Sequence, residues 1–444
     1  MSRIASKPAR RGGVPAGGVA LWAALTGILV LWIAERPPGF GGLQYAGEVA
    51  GVLAVALLGA SLMLATRLVS VERAFGGLDR VYVWHRWVAT AGILMFFPHW
   101  LLVSSSRWHA TSPAVLGVKP DYGLGNNLGV IAILGLIAIA LIAFLPRVPV
   151  IGPLVRLSWE KWLVSHRFAG VFVAAAVAHG LLVDPVIRRS LPLWWAYVAI
   201  GTVAVGAFAT RQIGDLSGWG RSDHVVSGVR RLNDTTVEVR LRPKGGRLDF
   251  VPGQFVYASF GGAEHWQRHP FTISNAPGDG ELRLSIKASG DHTNLFYRHL
   301  HEGLPASVEG PYGAFDRRAG ARRQIWIAGG IGITPFLSWA NALTDGEHVE
   351  VDLFYTVASP EQAVYLDELA AAAARVPGLR VHLNVDSRDG FLSADRIARQ
   401  AAHRPRWCSV FMCGPGGMIR ALERGLRVHG VPPDRIHYEE FSFR

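Results

Sequence analysis

Six apolar runs in the first half of this chain restrict its fold more than any other feature. They lie roughly at 18–34, 45–66, 81–103, 126–145, 162–183 and 192–210. Each is near the ~20 residues that a helix needs to cross a hydrocarbon core. A segment inside that core must satisfy its own backbone hydrogen bonds, and a helix does so. The expected first part is therefore a six-helix transmembrane bundle over 18–212, preceded by a basic tail over 1–17. The tail holds Arg3, Lys7, Arg10 and Arg11 ahead of the first run, a pattern that resembles a signal peptide. That run is long for a signal core and no clean cleavage site follows it, so it reads as an uncleaved first span.

Charge in the loops gives an orientation. With the N-terminus inside, the inner segments carry Arg67, Arg73, Arg80, Arg147, Arg156 and Lys161 besides the tail. The outer loops carry only Arg36, Arg107, Lys119, Arg188 and Arg189. This excess of inner cations predicts a cytoplasmic N-terminus in a bacterial-type inner or plasma membrane. An even number of spans then returns the chain to the cytoplasm at Arg211. Only two cysteines are present, Cys408 and Cys413, both beyond that point, so no disulfide framework is implied. Basic cytoplasmic loops also explain the net charge of +12. No basic block is interleaved with a recognition fold, which argues against a nucleic-acid partner.

Two of the runs each carry two histidines. His85 and His99 stand at i and i+14 in the third run, and His166 and His179 at i and i+13 in the fifth. Ionisable side chains in a membrane are costly and mark function by default. Two pairs of imidazoles suit bis-axial ligation of two haems. On a helix these spacings cover roughly 20 Å, room for two stacked groups between the same two helices. A step of i to i+14 along an ideal helix returns to within about 40° of the start, whereas i to i+13 leaves an offset of about 140°. The fifth helix therefore needs a bulge, kink or frayed turn near His166. Arg86 and Arg167 each follow one of these histidines, as cations meeting haem propionates would. The plain alternative is histidines lodged at helix ends or bonded within the bundle. His109, with Arg107 in the outer loop between the third and fourth runs, could sit by an acceptor site, although it reads more simply as an ordinary exposed residue.

After a linker at 213–222 the pattern changes to short alternating strands: 225–232, 236–241 and 250–255. They predict a small antiparallel β-barrel over 223–320. Ser289-Gly290-Asp291-His292-Thr293 opens a helix-like stretch at 294–300, where free N–H groups could receive a phosphate. The last part, 321–444, alternates strand and helix and predicts a Rossmann-like α/β domain. Its strand at 324–328 runs into Gly329-Gly330-Ile331-Gly332-Ile333-Thr334-Pro335 and a helix. Glycines let the backbone approach a pyrophosphate there, although this is not the full G-x-G-x-x-G fingerprint. Strands at 349–355 and 379–384 follow, then a second glycine turn, Cys413-Gly414-Pro415-Gly416-Gly417.

Taken together, this order resembles the ferric reductase and NADPH oxidase family of transmembrane flavocytochromes, with a ferredoxin-reductase-type soluble module. The resemblance rests on Pro252-Gly253-Gln254-Phe255, His269-Pro270-Phe271-Thr272, Gly310-Pro311-Tyr312-Gly313, the 329–335 turn and Cys413-Gly414-Pro415, in that order, and on the two histidine spacings. It implies FAD, NADH or NADPH, and two b-type haems on His85, His99, His166 and His179. It also implies that His269, Pro270, Phe271 and Thr272 hold the flavin, and that Lys287, Gly290 and Thr293 contact its pyrophosphate. Gly330, Gly332, Thr334 and Pro335 would cradle the nicotinamide dinucleotide, Cys413 and Gly414 would flank its ring, and Phe441 or Phe443 would cover the flavin. Relatives that use NADPH often place an arginine after the strand ending Tyr355-Thr356-Val357; this chain has Ala358, and Arg388 is the available substitute.

The implied route runs from cytoplasmic NAD(P)H through FAD and the two haem sites to an acceptor across the membrane, a ferric complex or molecular oxygen. A protein partner is possible but not required. One alternative is a flavin reductase whose cytochrome anchor feeds a quinone or a partner protein. Another, of a different class, is a haem-free membrane anchor or transporter.

Overall fold

A computed structural model describes residues 14–39, 41–104, 114–117, 119–145, 159–261, 268–344 and 346–440. Phe441, Phe443, Arg107 and His109 lie outside the described residues. The chain divides into two compact units, one of Val14–Phe75 with Arg80–Trp219 and the other of Gly220–Arg444 with the short segment Gly76–Asp79.

The first unit is helical: α1 (Ala16–Ala34), α2 (Gly42–Leu64), a short α3 (Val69–Phe75), α4 (Leu78–Ser104), α5 (Tyr122–Phe144), α6 (Trp159–Arg167), α7 (Ala169–Val183) and α8 (Leu191–Ser217). Among the described residues six spans are long and apolar enough to cross a membrane, with Lys161–Val183 as the fifth. Their core packs Val52, Val55 and Leu58 of α2 against Ala132, Leu136, Val173, Ala176, Val177 and Ala204. Caps set the ends. Asp121 accepts from Leu124 N (3.0 Å) at the start of α5, and Ser190 accepts from Leu193 N (3.4 Å) at the start of α8.

Two features sharpen the expectation. The fifth span is broken at Phe168, whose N–H bonds Ser165 O at 3.1 Å while Val171 N bonds Phe168 O at 3.0 Å. These are tight three-residue turns, although Phe168 O also takes Phe172 N at 3.3 Å, so the junction is a local tightening of the helix. His166 thus ends α6 and His179 lies in α7, so their spacing is not read along one ideal helix. The last span also runs past its apolar stretch. Arg211 and Asp215 pair at 3.2 Å one turn apart, and the helix continues until Gly218 adopts the left-handed conformation. Of the linker expected at 213–222, the residues up to Ser217 are therefore helical, and a strand begins at Arg221.

In the second unit, β1 (Arg221–Asn233), β2 (Thr236–Pro243), β3 (Phe255–Phe260), β4 (His269–Thr272), β5 (Leu282–Lys287) and β6 (Pro305–Tyr312) form an antiparallel sheet in the order β4-β3-β6-β1-β2-β5. The sheet curls until its ends meet, Ile273 bridging Leu284. α9 (Asp291–His299) buries Phe296 in the interior with Val239, Leu241, Val256 and Phe260. The strand expected at 250–255 is instead a turn that delivers the chain to β3, because Pro252 brings no N–H to a ladder. The helix expected at 294–300 begins at Asp291, one turn earlier.

The α/β part comprises β7 (Arg323–Gly329), α10 (Thr334–Ala342), β8 (Glu350–Val357), α11 (Leu366–Arg375), β9 (Leu379–Val385), α12 (Asp386–Asp389), α13 (Ala394–Gln400), β10 (Ser409–Gly414), α14 (Gly416–Val428) and β11 (Ile436–Glu440). Its strands are parallel in the order β11-β10-β7-β8-β9. The order reverses between β7 and β10, and ligands of such sheets bind at the strand ends beside that reversal. The barrel and the α/β part are tied together. Arg283 grips Glu368 through both guanidinium nitrogens (2.9 and 2.8 Å), Ser285 Oγ meets Tyr365 Oη (2.7 Å), and Trp339 Nε1 donates to Pro252 O (2.9 Å).

Candidate functional site

The four membrane histidines come together as two pairs. The ring centres of His85 and His166 are 6.1 Å apart with planes at 78°, and those of His99 and His179 are 6.4 Å apart at 80°. Two opposed imidazoles bound to one metal at about 2 Å each put their ring centres about 6 Å apart. Both gaps therefore fit one ion between the rings. Among the described residues no group of three or more His, Cys, Asp or Glu forms a metal cage, so each histidine pair would give a bound ion two protein donors. That is the donor set a bis-imidazole haem requires, since the macrocycle supplies the others.

Backbone carbonyls orient three of these rings. His99 Nδ1 bonds Gly47 O (3.0 Å), His179 Nδ1 bonds Gly125 O (2.8 Å), and His85 Nδ1 bonds both Ser61 O and Ser61 Oγ (2.9 Å each). A carbonyl only accepts, so Nδ1 carries the proton and Nε2 is left with its lone pair. His166 differs: its Nδ1 is buried without a hydrogen-bond partner, and the ring stacks on Trp162 with centres 4.9 Å apart and planes at 13°. A cleft of about 560 Å³ reaches His99 and His179, lined also by Gly51, Phe96 and Ala176. At its edge Glu48 hydrogen-bonds Asp184, whose Oδ1 takes the N–H groups of Val186 (2.8 Å) and Ile187 (2.9 Å).

The two arginines differ in their surroundings. Arg86 is exposed, whereas Arg167 pairs with Asp215 at 3.1 Å. Its guanidinium already has a carboxylate, so it is not waiting for a propionate alone.

In the second unit, β4 carries His269, Pro270, Phe271 and Thr272 along one edge of the barrel. Thr272 is 3% exposed and its Oγ1 is buried without a hydrogen-bond partner. Buried hydroxyls are normally satisfied, and a ligand polar edge laid along β4 would satisfy this one. His269 packs on His292 (ring centres 5.0 Å) and Phe296 (5.8 Å). Thr293 Oγ1 accepts from Ser289 N (2.9 Å) and Gly290 N (3.0 Å), so this turn closes on itself. Lys287 Nζ meets Gln362 Oε1 at 3.5 Å and stands about as close to the open face of Gly330. It therefore links the barrel edge to the first glycine turn.

That turn and the second one touch. A Cβ on Gly332 would fall 2.2 Å from Cys413 O, so only glycine allows the close approach after β7 and β10. Thr334 Oγ1 closes the turn on Ile331 O (3.1 Å), and Pro335 opens α10. Cys413 is fully buried; burial, with the Glu439 carboxylate nearby, pushes its thiol well above the usual range. It is a neutral wall, not a nucleophile. Gly414 closes β10 beside it.

Beyond β8, Asp386 Oδ1 accepts from Thr356 Oγ1 (2.8 Å) and Asn384 Nδ2 (2.9 Å), which holds a carboxylate at the strand ends. Arg388, the candidate cation for a 2′-phosphate, is engaged by Asp389 (2.9 Å), and that hydrogen bond holds Asp389 down at about 2. Arg396 is likewise bonded to Asn384 Oδ1 and Asp389 O.

Sequence reasoning missed Gly47, Gly51, Ser61, Gly125, Gly129 and Trp162. Backbone carbonyls leave no signature in a sequence, but two glycines at i and i+4 on α2 and again on α5 were readable.

Family profiles match three consecutive regions: a ferric reductase like transmembrane component over 50–177, an FAD-binding domain over 224–316 and an oxidoreductase NAD-binding domain over 326–424. The toluate 1,2-dioxygenase electron transfer component of Pseudomonas putida is 29% identical over 226 residues, 49% of this chain and 66% of that one. The flavohemoprotein of Halalkalibacterium halodurans is 27% identical over 245 residues, 49% of this chain and 59% of that one. The ferredoxin–NAD(P)(+) reductase component of the naphthalene 1,2-dioxygenase/salicylate 5-hydroxylase systems of a Ralstonia species is 31% identical over 231 residues, 49% of this chain and 69% of its own. The chain thus covers less than two thirds of the first two relatives.

Proposed function

This chain belongs to the ferric reductase-like family of transmembrane flavin and NAD(P)H oxidoreductases, and on that premise we propose that it passes electrons from NADH across the membrane through one flavin and two b-type haems. The observation that carries the haem reading is the pair of 6.1 and 6.4 Å histidine gaps, each fitted to one iron. Loop charge supports a cytoplasmic N-terminus, a cytoplasmic flavin and nucleotide module, and a His99–His179 site nearer the far side. The acceptor there is a small molecule or ion, a ferric complex or molecular oxygen giving superoxide.

The bound groups supply hydride acceptance and one-electron transfer; the chain supplies position. Thr272 Oγ1 would donate to the polar edge of the flavin, and His269, Pro270 and Phe271 would line it. Lys287 would neutralise phosphate charge beside Gly330. Gly330, Gly332, Thr334 and Pro335 would bring N–H groups to the dinucleotide, with Cys413 and Gly414 against the nicotinamide. His85 with His166 and His99 with His179 would hold the two irons through Nε2.

NADH is favoured over NADPH by Asp386. In doubly wound nucleotide folds an acid at the strand ends takes ribose hydroxyls and repels a 2′-phosphate. The nearby Arg388 is already engaged by Asp389, and Arg396 by Asn384 and the Asp389 carbonyl. Asp386→Ser should raise the NADPH-to-NADH ratio of kcat/KM by about tenfold, or ~1.4 kcal/mol of differential binding. An unchanged ratio would remove Asp386 from the specificity argument.

A membrane quinone is the second reading, favoured by the Glu48–Asp184 pair. Two hydrogen-bonded carboxyls share a proton, which quinone reduction consumes and iron or superoxide chemistry does not. Parallel assays of the intact protein with each acceptor separate these readings. The primary test is an anaerobic absorbance spectrum of the purified full chain before and after NADH. Sharp reduced b-type bands support the proposal; flavin bleaching without haem bands would leave a membrane-anchored flavin reductase.

A further inference from the structure

We infer that Gly47 with Gly51 on α2, and Gly125 with Gly129 on α5, are two copies of one histidine seat that positions His99 and His179 as ligands. The inference rests on the haem reading above.

The two seats have the same construction. His99 Nδ1 bonds the carbonyl of Gly47 (3.0 Å), and a Cβ on Gly51 would sit 2.6 Å from that same nitrogen. His179 Nδ1 bonds the carbonyl of Gly125 (2.8 Å), and a Cβ on Gly129 would sit 2.7 Å from it. In both, the carbonyl belongs to residue n and the vacant space to residue n+4. The reason lies in helix geometry. Each Cα–Cβ bond tilts toward the helix N-terminus, so the side chain at n+4 covers the turn that contains carbonyl n. That carbonyl already takes the n+4 N–H but keeps a second lone pair. Glycine at n+4 uncovers it, and an imidazole from the next helix can then donate.

The other two histidines are held differently. His85 precedes His99 on α4 by the same step that separates its acceptor Ser61 from Gly47 on antiparallel α2. Ser61 is in the last turn of α2, where Ala65 N is shared between Ser61 O and Leu62 O at 3.1 Å each. The n+4 residue here is the C-cap Ala65, so His85 is held beside a Cβ without a glycine seat, and Ser61 Oγ gives it a second partner. The step from His179 back to His166, taken forward from Gly125 along α5, reaches Ala138. The n+4 residue there is Ile142, a branched side chain in the last turn of α5. No seat is available at that carbonyl, and His166 Nδ1 has no partner.

The seat acts through the ligand. Donation from Nδ1 fixes the tautomer and ring orientation and makes Nε2 more basic, which favours ferric iron. A methyl group on Gly51 or Gly129 would push the ring off its carbonyl. Loss of such outer-shell partners typically costs about 10- to 100-fold in metal affinity. The midpoint potential of the affected haem should rise by about 59 mV for each tenfold of ferric preference lost.

The test uses the full-length protein in detergent or nanodiscs, with Gly51→Ala, Gly129→Ala and, as controls, Gly27→Ala and Gly206→Ala, whose added Cβ atoms meet nothing within 4 Å. Haem per chain and potentiometric titration, with low-temperature EPR of the ferric haems, are read for each. The expected result is that Gly51→Ala and Gly129→Ala weaken or shift one haem, the one lost in His99→Ala, while the other haem and both controls stay as in the parent protein. His99→Gly provides a second route: added imidazole should restore its missing haem signal, and adding Gly51→Ala should abolish that rescue. Equal loss of both haems, or unchanged haems with intact rescue, would overturn the seat. Absence of haem from the parent protein would instead overturn the haem reading on which the seat depends.

Discussion

The His99–His179 and His85–His166 pairs have nearly the same ring separation but reach it by different means. The first is symmetric: each ring donates to a helical carbonyl bared by a glycine one turn on. The second is lopsided: His85 has two oxygen partners from Ser61, while His166 has an aromatic plane and no hydrogen bond at Nδ1. A carbonyl-anchored ring is fixed in tautomer and direction, whereas a stacked ring is fixed in plane but free to slide. The difference follows from chain placement. His179 sits within the regular α7, and His166 sits near the end of α6, just before the break at Phe168.

The largest expected effect comes from removing a ligand. His179→Ala should cost the chain one haem and leave the His85–His166 centre reducible by NADH; His166→Ala should do the converse and abolish reduction of the far acceptor. Haem per flavin and the anaerobic spectrum of each variant check this, and loss of both haems from either variant would merge the two sites into one folding unit. Next is Trp162→Leu. Ring stacking of this kind contributes about 0.5–1.5 kcal/mol, so haem at the His85–His166 pair should dissociate several-fold faster, with no change at the other. Transfer of haem to an apo-globin scavenger measures both rates. Ser61→Ala should have a smaller effect, about twofold or ~0.5 kcal/mol, because the Ser61 carbonyl remains to hold His85. A loss as large as that of His85→Ala would mean that the hydroxyl, not the carbonyl, is the anchor. Arg167→Ala should have the smallest. The Arg167–Asp215 pair is 3.1 Å long and Arg167 is 41% exposed, so its removal should cost under ~1 kcal/mol of stability and leave haem content unchanged. Haem loss from the His85–His166 site alone would return Arg167 to the propionate role.

Much of this contrast could be read before the structure, and the unread part has a physical cause. Six spans were legible because a membrane helix must be apolar along its length, and the four histidines because a polar ring inside such a helix stands out. The required irregularity at His166 followed from an i, i+13 spacing that does not close a helical repeat, and Phe168 supplies it. Helix ends were less legible. α8 extends to Ser217 through an ion pair and a glycine stop that hydropathy does not register. The stretch at 250–255 alternates like a strand, yet Pro252 and Gly253 turn the chain before β3. The partners of His85, His99 and His179 are main-chain oxygens, which every residue owns, so only the glycines that expose two of them carry a trace in the sequence.

The haem count per chain, determined in parallel on the full-length protein, His166→Ala and His179→Ala, decides whether two separate two-histidine centres exist. Counts of two, one and one, with the remaining haem of each variant still reducible, are the predicted result. A count of zero in the parent protein, or two in either variant, would contradict it.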